Sequence, residues 1–303
     1  MTAPWHRFAV AAVMAGVAAS ACSSNESSRD AGPSVIATTG IWADVVANVA
    51  CDGSVTVEPL LAEGADPHAF EPSLADRARL DDAMLVVANG LDLEESLIDT
   101  LGSVESDGTP VIEVSDSIEA LAAGSDDDPH FWADPTLVRD AIGDLGDALV
   151  THAGADRAAI ADCVAAYEAE LDVADHELEA VFAAIPPERR LLVTNHDSMQ
   201  YLADRYDFEL LGTVIPSASS LAETSPATIE ALADLIDETG VPAIFAETAQ
   251  SSRDIDALAA QVGDVDVVTL HSGRLGPAGS GADTYIDMLL ADADLIVAGL
   301  GPS

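Results

Sequence analysis

The chain reads as α/β: two lobes with parallel sheets, bridged by one long α-helix. Three observations predict this. Over residues 34–158, short β-rich runs alternate with helical stretches, the pattern of strands joined by crossover helices. Next, Tyr167, Leu171, Ala174, Leu178, Val181 or Phe182, and Ile185 recur at three- and four-residue steps until Pro186-Pro187 ends the run. From residue 187 the strand–helix alternation starts again.

Taken in order, Val35-Ile36-Ala37-Thr38-Thr39 forms a strand, and Ile41, Trp42, Val45, Val46 and Val49 mark one side of the helix after it. Val55-Thr56-Val57 is a second strand, and Ser73 caps a helix from Leu74 to about Ala83. Leu85 to Asn89 and Val111 to Val114 are further buried strands, and Pro135 opens a helix running to about Val150. The bridging helix is expected over 159–186. Strands follow at 191–194, 209–212, 243–246 and 265–270. Helices are expected near 196–206, 228–239 and 255–262, and from Asp283 to the C-terminus. Residues 34–158 and 187–303 are the two lobes.

The first thirty-odd residues stand apart from this pattern. His6 and Arg7 precede an apolar run from Phe8 to Ala18, too short for a stable spanning helix, and Ala19-Ser20-Ala21 leads into Cys22. This reads as an export signal over residues 1–21. The segment resembles a bacterial lipobox, which would make Cys22 the acylated, membrane-anchored first residue of the mature chain. The other reading is a plain secretory signal cleaved nearby. Residues 22–33 are polar and suit a flexible tether. In an exported chain, Cys51 and Cys163 form either one disulfide or two buried thiols, and no Cys pair or cluster has metal-ligand spacing.

Acidic residues number 54 against 11 basic ones, and every basic residue is Arg. The acids are dispersed, so the excess belongs to the whole surface. A nucleic-acid partner is excluded, because phosphate contacts need cationic patches. The excess alone does not argue for metal binding.

Histidine carries the chemistry. Two of the seven sit in matched turns, Asp66-Pro67-His68-Ala69-Phe70 and Asp128-Pro129-His130-Phe131-Trp132. Proline fixes its own φ and keeps the residue before it out of the helical region, so each imidazole is presented from a stiff turn. His196, in Val193-Thr194-Asn195-His196-Asp197-Ser198, lies where the first strand of the second lobe meets its helix. Ligands of α/β proteins collect at such strand ends, so all three imidazoles face a metal site in the interlobe cleft. Three imidazoles suit Zn²⁺ and leave a fourth position for a carboxylate, another His or water. His152 and His176 are expected to be solvated.

With these residues in view, the chain resembles the substrate-binding lipoproteins of zinc/manganese ABC importers. The resemblance runs from Val35 to Leu300 through Asp66 to Ser73, Ala88 to Glu94, Asp128 to Pro135, Thr194 to Tyr201 and Phe245 to Thr248. It implies His68 and His130 as ligands from the first lobe and His196 from the second. A His at the third place goes with zinc, and Mn²⁺ or Fe²⁺ is the alternative cargo. The family's usual fourth ligand, an Asp, falls here on Gly273. His271, two residues earlier on an extended segment, is the expected substitute. Water, Glu247 or another acid is the alternative, Glu247 being expected mainly to orient a ligand imidazole. Asp66, Asp128 and Asp197 are expected to offset the cation's charge.

The function this implies is capture of Zn²⁺ outside the membrane and delivery to a permease, whose ATPase is a separate chain. The protein is expected to act as a monomer and not as an enzyme, since no HExxH, P-loop or dinucleotide fingerprint is visible. A zinc hydrolase and a surface adhesin of the same fold are the rivals from other classes.

Overall fold

The computed structural model describes Met1, residues 34–124 and residues 126–301. Apart from Met1, the export signal, with His6, lies outside the described residues, as do Cys22, the tether and Ser125. No described helix is long and apolar enough to cross a membrane.

The first lobe contains β1 (Ser34–Ala37), α1 (Gly40–Val49), β2 (Thr56–Pro59), α2 (Leu74–Asp81), β3 (Leu85–Ala88), α3 (Ile98–Asp107), β4 (Val111–Glu113), a hairpin of β5 (Ala122–Ala123) and β6 (Asp126–Asp127), and α4 (Pro135–His152). The long helix is α5 (Arg157–Phe182). The second lobe contains β7 (Leu191–His196), α6 (Gln200–Arg205), β8 (Glu209–Ile215), α7 (Pro226–Thr239), β9 (Ala243–Glu247), α8 (Arg253–Val262), β10 (Asp266–Leu270) and α9 (Tyr285–Leu300).

Both four-stranded sheets are parallel, ordered β2-β1-β3-β4 and β10-β9-β7-β8. Numbered within its own lobe, each sheet has the order 2-1-3-4, so the lobes repeat one topology. The connections after the first and third strands diverge there, opening a crevice at the strands' carboxyl ends. His196 and Glu247 are the last residues of the two strands flanking that crevice in the second lobe. β3 and β9 are buried along their whole length, as strands covered on both faces must be.

Local chemistry sets the boundaries. Thr39 accepts from the Trp42 amide and ends β1 two residues before the expected limit. Ser73 and Asp76 form a reciprocal capping box at α2. Asp156 accepts from the Ala158 and Ala159 amides, so α5 starts two residues earlier than its apolar stripe suggested and ends at Phe182. Residues 197–199 stay outside the helix expected after His196, and only 200–205 is helical. The acidic segment just before His130 forms the β5–β6 hairpin.

α5 spans 26 residues, or about 39 Å. Each half is fixed to a different lobe. Near its start Cys163 is disulfide-bonded to Cys51, with a Cα–Cα distance of 5.7 Å. Near its end Asp175 accepts hydrogen bonds from Arg205 and from the Tyr206 hydroxyl, and Phe182 packs on Tyr206 and Phe208 with centroids 5.0 Å apart. The outer face of each sheet has its own apolar cluster. The inner faces share one cluster with α5 and α9, running from Trp42 and Leu145 through Leu171 and Phe182 to Phe245 and Ile296. The lobes are therefore joined by a common core. α9 also reaches back: the Tyr285 amide donates to Asp44 at 2.9 Å, and its hydroxyl donates to the Trp132 carbonyl at 2.6 Å.

The disulfide closes a loop of 112 residues, which strongly restricts the unfolded chain. Replacing both Cys51 and Cys163 by Ala should lower unfolding free energy by about 2–5 kcal/mol in urea denaturation under oxidising conditions.

Candidate metal centre

The two Asp-Pro-His turns use their aspartates first to shape the backbone. Asp66 accepts from the His68 amide at 3.0 Å, and Asp128 accepts from the His130 amide at 2.9 Å. The Ser96 hydroxyl donates to the His68 carbonyl at 3.1 Å, and the Asn89 amide donates to the Pro129 carbonyl at 3.0 Å. Asn89 is itself held by buried Glu94 and by the Trp42 indole N–H. His196 needs no turn, because the end of β7 delivers it.

These three imidazoles meet. His68, His130 and His196 each offer a nitrogen within 4.8 Å of the others, and all three are buried. Ring centroids are 5.5 Å apart for His68–His130, 5.8 Å for His68–His196 and 5.0 Å for His130–His196. Nε2 of His196 lies 3.2 Å from Nε2 of His130. Nitrogens about 2.0–2.1 Å from a tetrahedral zinc would be separated by about 3.3–3.4 Å, close to this spacing.

Each ring is held at Nδ1 by a carboxylate: Glu95 at 3.2 Å for His68, Asp128 at 2.7 Å for His130, and Glu247 at 2.6 Å for His196. Such pairing fixes the tautomer and aims the other nitrogen at a shared centre. The hydroxyls of Ser198 and Ser272 donate to Glu247 at 2.8 and 2.7 Å.

Burial lowers the His68 pKa, helped by the neighbouring His196, and holds that of His130 well below 6.5. Burial also opposes charge on His196, yet the Glu247 carboxylate outweighs it and the pKa rises. Glu247 is pushed up by burial but held down at about 2, first by the His196 charge and hydrogen bond and then by Ser272 and His130. Burial pushes Asp128 up to about 6. Near neutrality His68 and His130 are therefore neutral donors, while the Glu247 carboxylate favours the charged form of His196.

His271 is not brought into this group. Its strand ends at Leu270, and the next residues fold into a turn, with the Arg274 amide donating to the His271 carbonyl at 3.1 Å and Ser272 at φ 31°. The extended alternation that would place residues 271 and 273 on one face is broken there. The His271 imidazole lies beside Gly276 instead, and buried Asp292 fixes the turn by accepting from the His271 and Ser272 amides, both at 2.8 Å. A Cβ on Gly273 would stand 3.7 Å from Glu247 Oε2, so the place of the missing carboxylate adjoins Glu247. Asp66 and Asp128 shape the ligand turns, and Asp197 accepts from Gln200 at 2.8 Å. His176 is exposed, its Nδ1 on the Asp172 carbonyl at 2.6 Å. Glu95 was not foreseen: it lies 27 residues from His68 and nothing in its local sequence marks it.

The family described as "Zinc-uptake complex component A periplasmic" matches residues 35–299. Zinc-binding protein TroA of Treponema pallidum is 30% identical over 286 residues, covering 91% of this chain and 92% of its own length. Manganese-binding lipoprotein MntA of Halalkalibacterium halodurans is 29% identical over 297 residues, covering 96% and 95%. The solved structure of the periplasmic zinc binding protein TroA from Treponema pallidum superposes with a TM-score of 0.84 at 30% identity, covering 89% of this chain and all of that one.

The His196–Glu247 pair has a definite pH signature in the metal-free chain. A depressed Glu247 stabilises the fold above its ordinary value of 4.5, and this is lost as pH falls toward 2. A raised His196 stabilises it below 6.5, and this is lost as pH rises through the folded value. The melting-temperature deficit of Glu247→Gln should therefore be largest between pH 4.5 and 6.5, and NMR titration should show its His196 pKa dropping below 6.5.

Proposed function

We propose that this chain, which belongs to the family of zinc-uptake complex component A periplasmic proteins, is the extracytoplasmic substrate-binding component of a metal ABC importer. It captures Zn²⁺ and delivers it to a permease driven by a separate ATPase. The observation that carries this reading is the buried trio His68, His130 and His196, each imidazole backed by a carboxylate. His68 and His130 enter from the first lobe and His196 from the second, so a bound cation would sit between them.

Neutral imidazole favours Zn²⁺ over Mn²⁺, which prefers carboxylate oxygen and stands low in the divalent affinity order. The family includes relatives named for either metal, so Mn²⁺ is the second reading. Glu247 orients His196 and supplies negative charge beside the cation. Water fills the position next to Gly273. The protein acts as a binding protein, not an enzyme, and as a monomer. Cys22 is its lipid-anchored first residue on the outer face of the membrane, in keeping with relatives named lipoproteins.

Zn²⁺ should bind at least about tenfold tighter than Mn²⁺ in competition titrations. At pH 6, loading should release about one proton, because protonated His196 must give up its proton to the metal. His196→Ala should weaken binding by about a hundredfold or more; unchanged affinity would overturn the site, and preference for Mn²⁺ would overturn the zinc assignment. For the anchor, Cys22→Ser should move the chain from the membrane fraction to the soluble one, and its staying on the membrane would exclude acylation at Cys22.

A further inference from the structure

The matched Asp-Pro-His turns are tied to the second lobe in unlike ways. The His130 turn is held across the cleft by several buried or half-buried bonds. The Tyr201 hydroxyl donates to the Asp128 carbonyl and accepts from the Leu121 amide, both at 2.9 Å. The Trp132 indole donates to the Ser272 carbonyl at 2.8 Å, and the Trp132 carbonyl accepts from the Tyr285 hydroxyl at 2.6 Å. Asp128 itself turns inward, spending one oxygen on both the amide and Nδ1 of His130.

Asp66 does something different. One oxygen accepts from the His68 amide, and the other reaches across the cleft to accept from the Ser220 hydroxyl at 2.7 Å. Ser220 lies on the irregular segment between β8 and α7. That segment is tied to the second-lobe histidine as well, because the Ser217 carbonyl accepts from the Asp197 amide at 3.1 Å, directly after His196. A short path therefore joins two of the three imidazoles: His68, Asp66, Ser220, Ser217, Asp197, His196. Beside it runs a groove of about 270 Å³, lined by Gly64, Ala65 and Pro67 of the His68 segment and by Arg274 to Pro277 opposite, which gives that turn room to swing.

We infer that Ser220 is the positioning residue that latches His68 over the bound metal, through the Asp66 carboxylate, and so sets how long the cation is held. His130 and His196 form the standing part of the site, and the His68 turn is the part that opens. The proposal rests on the metal-import reading above. A latch that closes after the cation has entered governs departure and leaves arrival alone.

The test is stopped-flow Zn²⁺ exchange on the full chain, with a chromophoric chelator reporting release. Ser220→Ala should dissociate about tenfold faster, the scale of one charge-assisted hydrogen bond, with association within about twofold of wild type. Ser220→Thr keeps the hydroxyl and should restore the slow rate, which a purely structural role would not require. Equal release rates for wild type and Ser220→Ala, or a change confined to association, would overturn the latch while leaving the import reading intact. Failure of the wild-type chain to bind Zn²⁺ at all would overturn both.

Discussion

Three imidazoles packed together out of water impose the governing constraint. Burial disfavours the charged ring, and each protonated neighbour disfavours it further. Left alone, such a cluster would be a desolvation cost with no return. The fold answers by giving every ring its own carboxylate at Nδ1, so that polarity is satisfied on one side while the opposite nitrogens stay available. Of the three acceptors, Glu247 is the one strong enough to raise its partner's pKa against burial in the metal-free chain. Much of the surrounding polar structure serves these acceptors: Ser198 and Ser272 steady Glu247, and Asn89 steadies the turn that carries Asp128.

The architecture explains why these groups can be brought together at all. Two sheets of the same strand order place their switch-point crevices where loops from both lobes meet, and the most deeply buried strands end there. The shared core along α5 and α9 leaves little freedom for whole-lobe rotation. Opening then falls to individual turns, and the two Asp-Pro-His turns differ in how firmly they are tied. A sequence repeat thus carries two mechanical roles, decided by what lies across the cleft from each aspartate.

Much of the fold was legible from pattern. Continuous apolar runs marked β3 and β9, and the stripe from Tyr167 to Phe182 marked α5. Where expectations moved, a local bond was the reason: the Asp156 cap lengthened α5 at its start, and the non-helical stretch 197–199 left room for only a short helix. In the candidate site, the three histidines stood out because proline-stiffened turns and a strand end are local features. His271 did not join them, since its placement assumed a strand that continues past Leu270. Asp292, twenty-one residues further on, bends the chain there instead.

By itself, then, the sequence determined the alternation of strands and helices, the long bridging helix, and the three imidazoles that gather. These follow from periodicity, capping and proline geometry, which act over a few residues. Only the tertiary structure decided which carboxylate backs each ring, that His271 turns away toward Gly276, and that Asp66 reaches Ser220 at a separation of 154 residues. Such pairings depend on strand order and on the packing of one lobe against the other. No local pattern encodes which side chain will stand across a cleft.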